Sequence, residues 1–561
     1  MKRSFFHIAK PWLLLFGGIL GFVLLAQLVR FRIDLTDEKR YSLHRGTEKV
    51  LTQITEPMHV DILLVGENLP GGMRRLQKSI EETVRTFNAY SPEPITFSYF
   101  DPLNVDQGEQ EQFILSLADY GIIATNLFVT QNSGQQAQLI FPGFLVSDSE
   151  FETGALVLKG ERGMSSEQIL NQSIENLEFE LSKAIQKLIS PTSSTIAMLI
   201  GHGENAQDDG FGIVEALDGE FEIFKVPMDQ AKKTADLATF KTIFIQSPKE
   251  QFAEREIYLL DQYVLGGGNL VVLLNGVAVE EAALYDGATV AMPFETGLEN
   301  LLFRYGVRVN NDLIQDFNFG LIPTMAGNFG NQEQMQPMPW LYYFQAQLMQ
   351  NHPITKGLDV VNFRFASSID TVKADGVDKT PLLFTSDYSR ILEAPIQISL
   401  GEVKIEPDPK DFGIKNLSLG YLLEGEFTSA FKNRFVPVEF NAADFKESGQ
   451  GKVVVFGDGE LFQSQISFRD GSPLRLGEDQ LSQTTFANKA FLSNLVNYLA
   501  DPEGIIASRT RTIKIRPLNK VKVASEKTFW QLTNVVLPVI LLLGIGSGVW
   551  MIRRKRYGSK I

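Results

Sequence analysis

The chain has 561 residues, no cysteine and a formal net charge of −15 at pH 7. Because Cys is missing from the sequence, disulfides, thiolate metal sites and cysteine nucleophiles are excluded. Residues 1–32 and 553–561 hold ten Lys and Arg and no acid, which leaves a charge of −25 on residues 33–552. A middle part this acidic is poorly suited to contacts with phosphate backbones, so we expect no nucleic-acid partner.

Uncharged apolar stretches occur near both ends of the chain, at residues 11–29 and 528–552. A membrane-spanning helix needs about 20 mostly apolar residues, and both stretches are long enough. We therefore predict two transmembrane helices, with both tails on one side of the membrane and the middle part on the other. The first stretch ends without a small-residue cleavage pattern at residues 26–30, so we interpret it as an uncleaved anchor.

Basic residues near the C-terminus predict the orientation. The second stretch is followed at once by Arg553, Arg554, Lys555 and Arg556, a cluster that the positive-inside rule places in the cytoplasm. We therefore predict an inner-membrane protein with cytoplasmic ends at residues 1–10 and 553–561 and a periplasmic middle part. Residues 509–527 are basic and form a predicted juxtamembrane stalk, which either lies on lipid headgroups or is a solvated linker.

Helical and strand patterns alternate through residues 30–190, the first predicted periplasmic domain. The helical patterns, with apolar residues every three to four positions, cover residues 47–54, 71–90, 106–118 and 165–189. Apolar runs predict strands at residues 59–65, 95–100, 122–130, 138–141 and 155–158. The last helix has capping-box spacing at Ser165 and Gln168 and stops before Pro191, where we place the boundary between two domains.

The second predicted domain covers residues 191–508. It begins with a continuous apolar run at residues 195–200, which is typical of a strand buried on both faces of a parallel sheet. Further strands are predicted at residues 242–246, 270–275 and 452–456, and helices at 252–264, 297–305 and 489–499. Residues 337–350 and 370–400 receive no assignment. The alternation predicts an α/β fold in both domains.

Two acidic, glycine-containing corners follow predicted strands of the second domain. They are Gly201-His202-Gly203-Glu204 and the run at 457–460, which includes Asp458 and Glu460. In open α/β sheets ligands bind at the carboxyl ends of the strands, so these residues are candidates for ligand or partner contact. The alternative is that the glycines turn the chain while the polar side chains bond local backbone amides, and we favour this alternative over catalysis.

No nucleotide-binding loop is present in the sequence. The pattern G-x-x-x-x-G-K-[ST] does not occur, and the glycines at 266–268 precede a strand instead of joining a strand to a helix. If the chain works in an ATP-driven complex, the ATPase is therefore a separate subunit. We predict no cofactor, no metal and no enzymatic activity; a third hypothesis is an envelope hydrolase that uses Glu204 and Asp458.

The sequence resembles the GldG family, the gliding-motility-associated proteins of Bacteroidota that are linked to ABC transporters. The resemblance rests on motifs spread in order over the chain: residues 34–43 (DLTDEKRYSL), 69–72 (LPGG), 99–102 (YFDP), 201–204 (GHGE), 351–357 (NHPITKG), 380–383 (TPLL), 388–390 (YSR), 456–460 (FGDGE), 516–520 (RPLNK), 530–538 and the basic tail.

The resemblance implies a separate ABC permease and a separate ATPase as partners. It also implies that the second domain is similar to class I glutamine amidotransferases and to an intraflagellar-transport protein, without amidotransferase activity because the nucleophilic Cys is missing. We therefore expect a non-enzymatic periplasmic subunit of an envelope transport complex that binds a substrate or an envelope partner. The alternative is a periplasmic scaffold without a small-molecule ligand. A homo-oligomer is compatible with the sequence.

Overall fold

The structure is a computed structural model. It describes residues 17–18, 42–66, 69–106, 108–131, 134–159, 164–190, 194–204, 210–329, 332–501, 503–510 and 520–557. These residues divide into two compact units, Met1–Thr512 and Ile513–Ile561, which we describe separately. The predicted first span at residues 11–29 lies outside the described residues except for Gly17 and Gly18, which are helical, so it stays a prediction.

Among the described residues from 42 to 190, the larger unit contains four α-helices and six strands. The helices are α1 (Arg45–Thr52), α2 (Gly71–Tyr90), α3 (Gln110–Asp119) and α4 (Ser166–Ile189). The strands are β1 (Met58–Ile62), β2 (Ile95–Tyr99), β3 (Thr125–Gln131), β4 (Gly134–Ile140), β5 (Gly143–Ser147) and β6 (Glu152–Leu156). A mixed sheet has the order β2-β1-β5-β6, with β1 parallel to β2 and antiparallel to β5. Strands β3 and β4 form a separate hairpin.

The periodic patterns in this part are confirmed. Helix α2 buries its predicted stripe, Leu76, Ile80, Val84 and Phe87. Helix α4 begins with the predicted capping box, because the Ser165 side chain accepts from the Gln168 backbone and the Gln168 side chain accepts from the Ser165 backbone. Such a cap satisfies backbone donors that have no partner inside the helix. Strand β5 was not predicted.

The second part of the larger unit contains six helices and nineteen strands within the described residues. The helices are α5 (Phe211–Leu217), α6 (Thr234–Leu237), α7 (Glu254–Leu265), α8 (Glu281–Tyr285), α9 (Glu299–Tyr305) and α10 (Asn488–Ala500). The strands are β7 (Thr195–Ile200), β8 (Glu222–Pro227), β9 (Thr242–Gln246), β10 (Asn269–Leu273), β11 (Val277–Ala278), β12 (Ala288–Pro293), β13 (Val307–Val309), β14 (Asp312–Asp316), β15 (Phe319–Phe329), β16 (Gln332–Leu348), β17 (Val361–Arg364), β18 (Ile369–Thr371), β19 (Val377–Phe384), β20 (Ser389–Glu393), β21 (Ile396–Ser399), β22 (Ser418–Thr428), β23 (Ser448–Phe456), β24 (Glu478–Asp479) and β25 (Thr484–Thr485).

A large mixed sheet organises this part, with the order β15-β16-β19-β22-β23-β10-β9-β7-β8. Strands β8, β7, β9, β10 and β23 are parallel, and β23, β22, β19, β16 and β15 pair antiparallel in sequence along the sheet. Strand β17 pairs with β16 beside this path. The parallel half therefore places the carboxyl ends of β7, β9, β10 and β23 along one edge.

Apolar side chains cover both faces of the parallel strands. Along β9, for example, Phe244 belongs to the core on one face, while Ile243 and Ile245 belong to the core on the other. A strand buried on both faces needs apolar residues at consecutive positions, which explains why β7 and β9 have the predicted bounds. The mixed α/β fold is confirmed, and the division into domains at residue 190 stays a prediction.

Residues 337–350 and 370–400, which the sequence left unassigned, are mostly antiparallel strands. They contribute to β16, β18, β19, β20 and β21. Strand β16 bridges the large sheet to β15 and β17, and its pairing with β15 contains register shifts. Strand β16 pairs on one side with its sequence neighbour β15. The other partners of these strands are distant along the chain, so the local sequence pattern did not predict the strands.

The second unit contains α11 (Lys520–Ser525) and α12 (Lys527–Tyr557). Within the described part of the chain, the segment Lys527–Arg556 of α12 is the one helix long and apolar enough to cross a membrane, with a mean hydropathy of 2.4 and none of that stretch buried. Its last turn is basic. It covers the predicted second span at residues 528–552.

The beginning and the end of the larger unit pack together. Helix α1 lies so close to the segment after α10 that a Cβ added at Gly46 would come within 2.7 Å of the Glu503 and Gly504 backbone. Lys49 Nζ lies 3.6 Å from Glu503 Oε2. Helix α4 supports the same junction, since its Glu178 accepts from the His44 backbone N–H at 2.6 Å. The segments at residues 42–52 and 503–510 of the larger unit therefore lie side by side.

This junction is testable by cross-linking because the chain has no natural Cys. We expect the variant Lys49→Cys/Glu503→Cys, treated in membranes with a short bifunctional maleimide, to migrate as a closed loop on a denaturing gel. The two single variants are the controls, because neither can form an internal cross-link. Equal migration of the double and single variants would contradict the packing of α1 against Glu503.

Candidate functional site

The first predicted corner, Gly201 to Glu204, follows β7 directly at the carboxyl edge of the parallel sheet. Gly201 and Gly203 have φ of +123° and +75°, a region that side chains with a Cβ rarely adopt. Glu204 Oε2 accepts from the His202 backbone N–H at 2.6 Å. The glycines therefore turn the chain and the acid holds the turn, which is the local role that we favoured from sequence.

The His202 side chain is buried among groups of its own chain. Its Nε2 lies 3.0 Å from Glu256 Oε2, its Nδ1 lies 3.3 Å from Glu204 Oε1, and its ring stacks on Phe252 with centroids 3.7 Å apart. The Glu204 side chain has no exposed surface. An imidazole enclosed by two carboxylates and an aromatic ring is positioned to fix the start of α7 against the corner. Glu256, its partner on α7, could not be predicted from the sequence.

The second predicted corner follows β23 at the same edge of the sheet. Asp458 is fully buried. Its Oδ1 accepts from the Glu460 backbone N–H and its Oδ2 from the Arg364 backbone N–H, both at 2.8 Å. Burial, together with the charge of Glu460, raises the pKa of Asp458 well above its ordinary value. Asp458 therefore joins the end of β23 to the end of β17.

Glu460 lies at the centre of a polar network contributed by two other strands. Its carboxylate accepts from Ser247 Oγ at 2.6 Å, from Asn275 Nδ2 at 2.7 Å and from Lys249 Nζ at 3.1 Å. Burial alone would raise the pKa of Glu460, but the Lys249 charge and these hydrogen bonds outweigh it and lower the pKa. Ser247 has φ +50°, so its backbone is held in a conformation that is uncommon for a non-glycine residue.

The loop after β9 brings the two predicted corners together. The backbone N–H groups of Lys249 and Glu250 donate to the His202 carbonyl oxygen at 2.7 and 3.0 Å, while the Lys249 side chain binds Glu460. Sequence reasoning missed Ser247, Lys249 and Asn275. A usable signal was present for Asn275, a polar residue that directly follows the continuous apolar run at 270–274.

The network is closed by groups of the chain itself. Both carboxylate oxygens of Glu460 accept hydrogen bonds from Ser247, Asn275 or Lys249. The described residues contain no group of three or more His, Asp or Glu side chains suited to hold a metal ion. Such an arrangement fixes three strand ends relative to one another. Of its members, the Lys249 side chain is the most accessible, with 57% of its surface exposed.

The pKa of Glu460 predicts a pH-dependent contribution to stability. A carboxylate whose pKa is lowered on folding stabilises the fold above its ordinary value, 4.5, and loses that contribution as the pH falls through the folded value. We expect Glu460→Gln to reduce the free energy of unfolding by about 1–3 kcal/mol at pH 7, and by less as the pH falls below 4.5.

Thermal unfolding of the full chain in detergent at pH 7 and pH 4 measures this difference. The control is Glu447→Gln, which removes a solvent-exposed partner of Lys432 and should change little at either pH. An equal loss of stability for Glu460→Gln at both pH values would contradict the assigned role of its charge.

Comparison with known proteins places the chain in a family. Residues 37–147 match a domain of unknown function (DUF7088). An uncharacterized protein of Borreliella burgdorferi is 22% identical over 405 residues, which cover 68% of this chain and 70% of that protein.

Similarity to solved structures is low and carries no argument about fold or function. The mmIFT52 N-terminal domain is 17% identical, covers 55% of this chain and 97% of its own, and gives a TM-score of 0.31. The cytoplasmic protein STM3548 of Salmonella typhimurium is 12% identical, covers 54% of this chain and 98% of its own, and gives a TM-score of 0.25.

The family model of the ABC-type uncharacterized transport system matches residues 193–495, more than half of the sequence, and the chain therefore belongs to that family.

Proposed function

We propose that the chain is a membrane-anchored, non-enzymatic subunit of an ABC-type envelope transport complex, with its larger unit in the periplasm and both tails in the cytoplasm. Family membership supports the transport role and implies a permease and an ATPase as partners in general. The sequence contains no G-x-x-x-x-G-K-[ST] loop, so ATP hydrolysis falls to the separate ATPase.

The observation that carries this proposal is the junction of α1 with Glu503 and Gly504. Because residues 42–52 and 503–510 of the larger unit lie side by side there, we infer that the chain leads to the two apolar stretches from neighbouring points of one body. Residues 30–43 lead to it from the first stretch and residues 511–527 lead away towards the second. Connections of this length reach at most about 50–60 Å when fully extended, so a unit anchored through both stays near the membrane.

The apolar helix α12 supports a packing role for the second span. Its large apolar side chains are exposed, including Leu541, Leu542 and Leu543. Gly544 and Gly548 have the G-x-x-x-G spacing that lets another membrane helix approach closely, and nothing described lies within 4 Å of a Cβ added at either. We assign this face to the permease.

The same proposal extends to the binding site of the periplasmic unit. A substrate or an envelope partner would meet the carboxyl edge of the parallel sheet, where Gly201, His202, Gly203, Glu204, Asp458 and Glu460 lie. The burial of Glu204 and Asp458 favours the second candidate function, a scaffold that holds other components in place without a small-molecule ligand at these corners.

Two finer parts of the proposal rest on the sequence resemblance alone. They are the association with gliding motility and the kinship of the second domain with the amidotransferase-like fold. Deletion of the gene in a gliding strain tests the first: loss of gliding that the intact chain restores would support it, and normal gliding would contradict it.

Affinity purification of the full chain from detergent-solubilised membranes tests the partners. We expect an ABC permease and an ABC ATPase to co-purify, and we expect Gly544→Leu/Gly548→Leu to reduce the permease yield by filling the close-approach face. The matched control is Gly546→Leu, which lies between them on another face of the helix. A chain that stays stable and membrane-located in a strain without the permease, and that purifies alone, would contradict the proposal.

A further inference from the structure

The loop between β22 and β23, residues 429–447, carries the two most exposed large apolar side chains of the described larger unit. Phe435 is 97% exposed and Val438 is 98% exposed. Both lie in the tip of this loop, residues 433–439 (NRFVPVE). Single exposed apolar residues are common, whereas clustered ones mark a contact with a membrane or with another protein. The tip is therefore a candidate for such a contact.

Both legs of this loop are fixed to helix α7. On the leg that leaves β22, Ser429 Oγ donates to Asp261 Oδ2 at 2.6 Å. On the leg that returns to β23, the Lys446 backbone N–H donates to Gln262 Oε1 at 2.7 Å. Asp261 and Gln262 are themselves buried. The tip is therefore held out in water by a folded base.

The loop projects from the edge of the parallel sheet opposite to the two corners, the amino edge. Lys452 of β23 pairs with Asn269, the first residue of β10, but β23 begins four residues earlier, at Ser448, about 13 Å further out. Asn269 Nδ2 also donates to the Leu499 carbonyl oxygen at 2.8 Å, so α10 ends at this edge. Glu503 follows Leu499 by four residues, at most about 14 Å. The base of the loop and the junction with α1 therefore lie near the same edge.

A cavity of 590 Å³ lies at the base of the loop. The Tyr258 ring lines it and packs against both legs, with its centre 5.2 Å from that of Phe431 and 4.6 Å from that of Phe440. The glycine turn at residues 266–268 lines it as well. The charged lining residues are three lysines and one acid: Lys233, Lys241, Lys446 and Asp444. In a chain with a net charge of −15, this excess of positive charge attracts an anionic group.

We propose that the tip and this cavity form a membrane-docking surface. The tip enters the headgroup region of the bilayer in which the chain is anchored, and the cavity holds the headgroup of an anionic phospholipid. Apolar side chains with basic residues beside them are typical of segments that lie at a membrane interface. The acidic body is repelled by anionic lipid elsewhere, but the lysines of the cavity and Arg434 in the tip are attracted to it. A lipid surface therefore fits this edge better than a protein does.

The inference rests on the membrane anchoring that belongs to the proposed function, but not on the permease or the ATPase. Docking through the amino edge would leave the two corners at the carboxyl edge directed away from the bilayer. The two apolar stretches supply the attachment, and the docking surface supplies the orientation of the larger unit.

Fluorescence quenching on this Cys-free chain tests the proposal. The full chain with Val438→Cys is labelled with an environment-sensitive fluorophore and placed in nanodiscs of equal parts of phosphatidylcholine and phosphatidylglycerol. We expect nitroxide-bearing lipids to remove most of the emission, and aqueous iodide to remove little. The matched control is Phe468→Cys, at a phenylalanine that is 68% exposed on the loop after the second corner; its label should be quenched by iodide and not by the lipids.

The charge of the lipid tests the role of the cavity. In nanodiscs of phosphatidylcholine alone, lipid quenching of the Val438→Cys label should be weaker, because the lysines have no anionic headgroup to attract them. A triple variant should abolish the difference between the two lipid compositions: Lys233→Gln/Lys241→Gln/Lys446→Gln. The control triple variant should preserve the difference: Lys404→Gln/Lys410→Gln/Lys415→Gln. All six lysines are exposed, so these exchanges disturb little packing.

Three outcomes would overturn the proposal. The first is equal quenching of the Val438→Cys and Phe468→Cys labels by the nitroxide lipids. The second is a Val438→Cys label shielded from both quenchers, which would show that the tip docks on protein, in these discs a second copy of the chain. The third is lipid quenching that does not depend on lipid charge. The discs contain neither permease nor ATPase, so this result is independent of whether those partners co-purify with the chain.

Discussion

The close approach of α1 to the backbone of Glu503 and Gly504 is the contact on which the account of this protein depends. It leaves no room for a side chain at Gly46, and an ion pair from Lys49 and a hydrogen bond from Gln53 reach Glu503 across it. Because α4 packs on both partners, the first and last segments of the larger unit form one support. The rest of the described larger unit lies between these two segments along the chain.

The carboxyl edge of the parallel sheet is a second place where polar contacts join distant parts of the chain. Acidic side chains that the sequence suggests for ligand contact join strand ends instead. Glu204 holds the turn after β7, Glu460 binds Ser247 and Asn275, and Asp458 binds the end of β17. Their burial explains why the corner with the most polar sequence is a structural junction.

Part of this arrangement could be predicted from the sequence. Strands β7 and β9 have the predicted bounds because apolar residues on both faces produce a continuous run, and α4 begins at its capping box because Ser165 and Gln168 are three residues apart. Strands β16 and β19 to β21 could not be assigned, since most of their pairing partners are far away along the chain. The position of both corners at the edge of the sheet was predicted; their partners Glu256, Lys249 and Asn275 were not.

The central claim is that the larger unit is displayed outside the cytosol while both ends of the chain remain inside. Single-cysteine variants of this Cys-free chain test it directly, with a membrane-impermeant thiol reagent applied to spheroplasts. Tyr388→Cys, at an exposed position of the larger unit, should be labelled in intact spheroplasts, whereas Ser559→Cys in the basic tail should be labelled only after lysis. Labelling of Ser559→Cys before lysis, with Tyr388→Cys protected, would contradict the account.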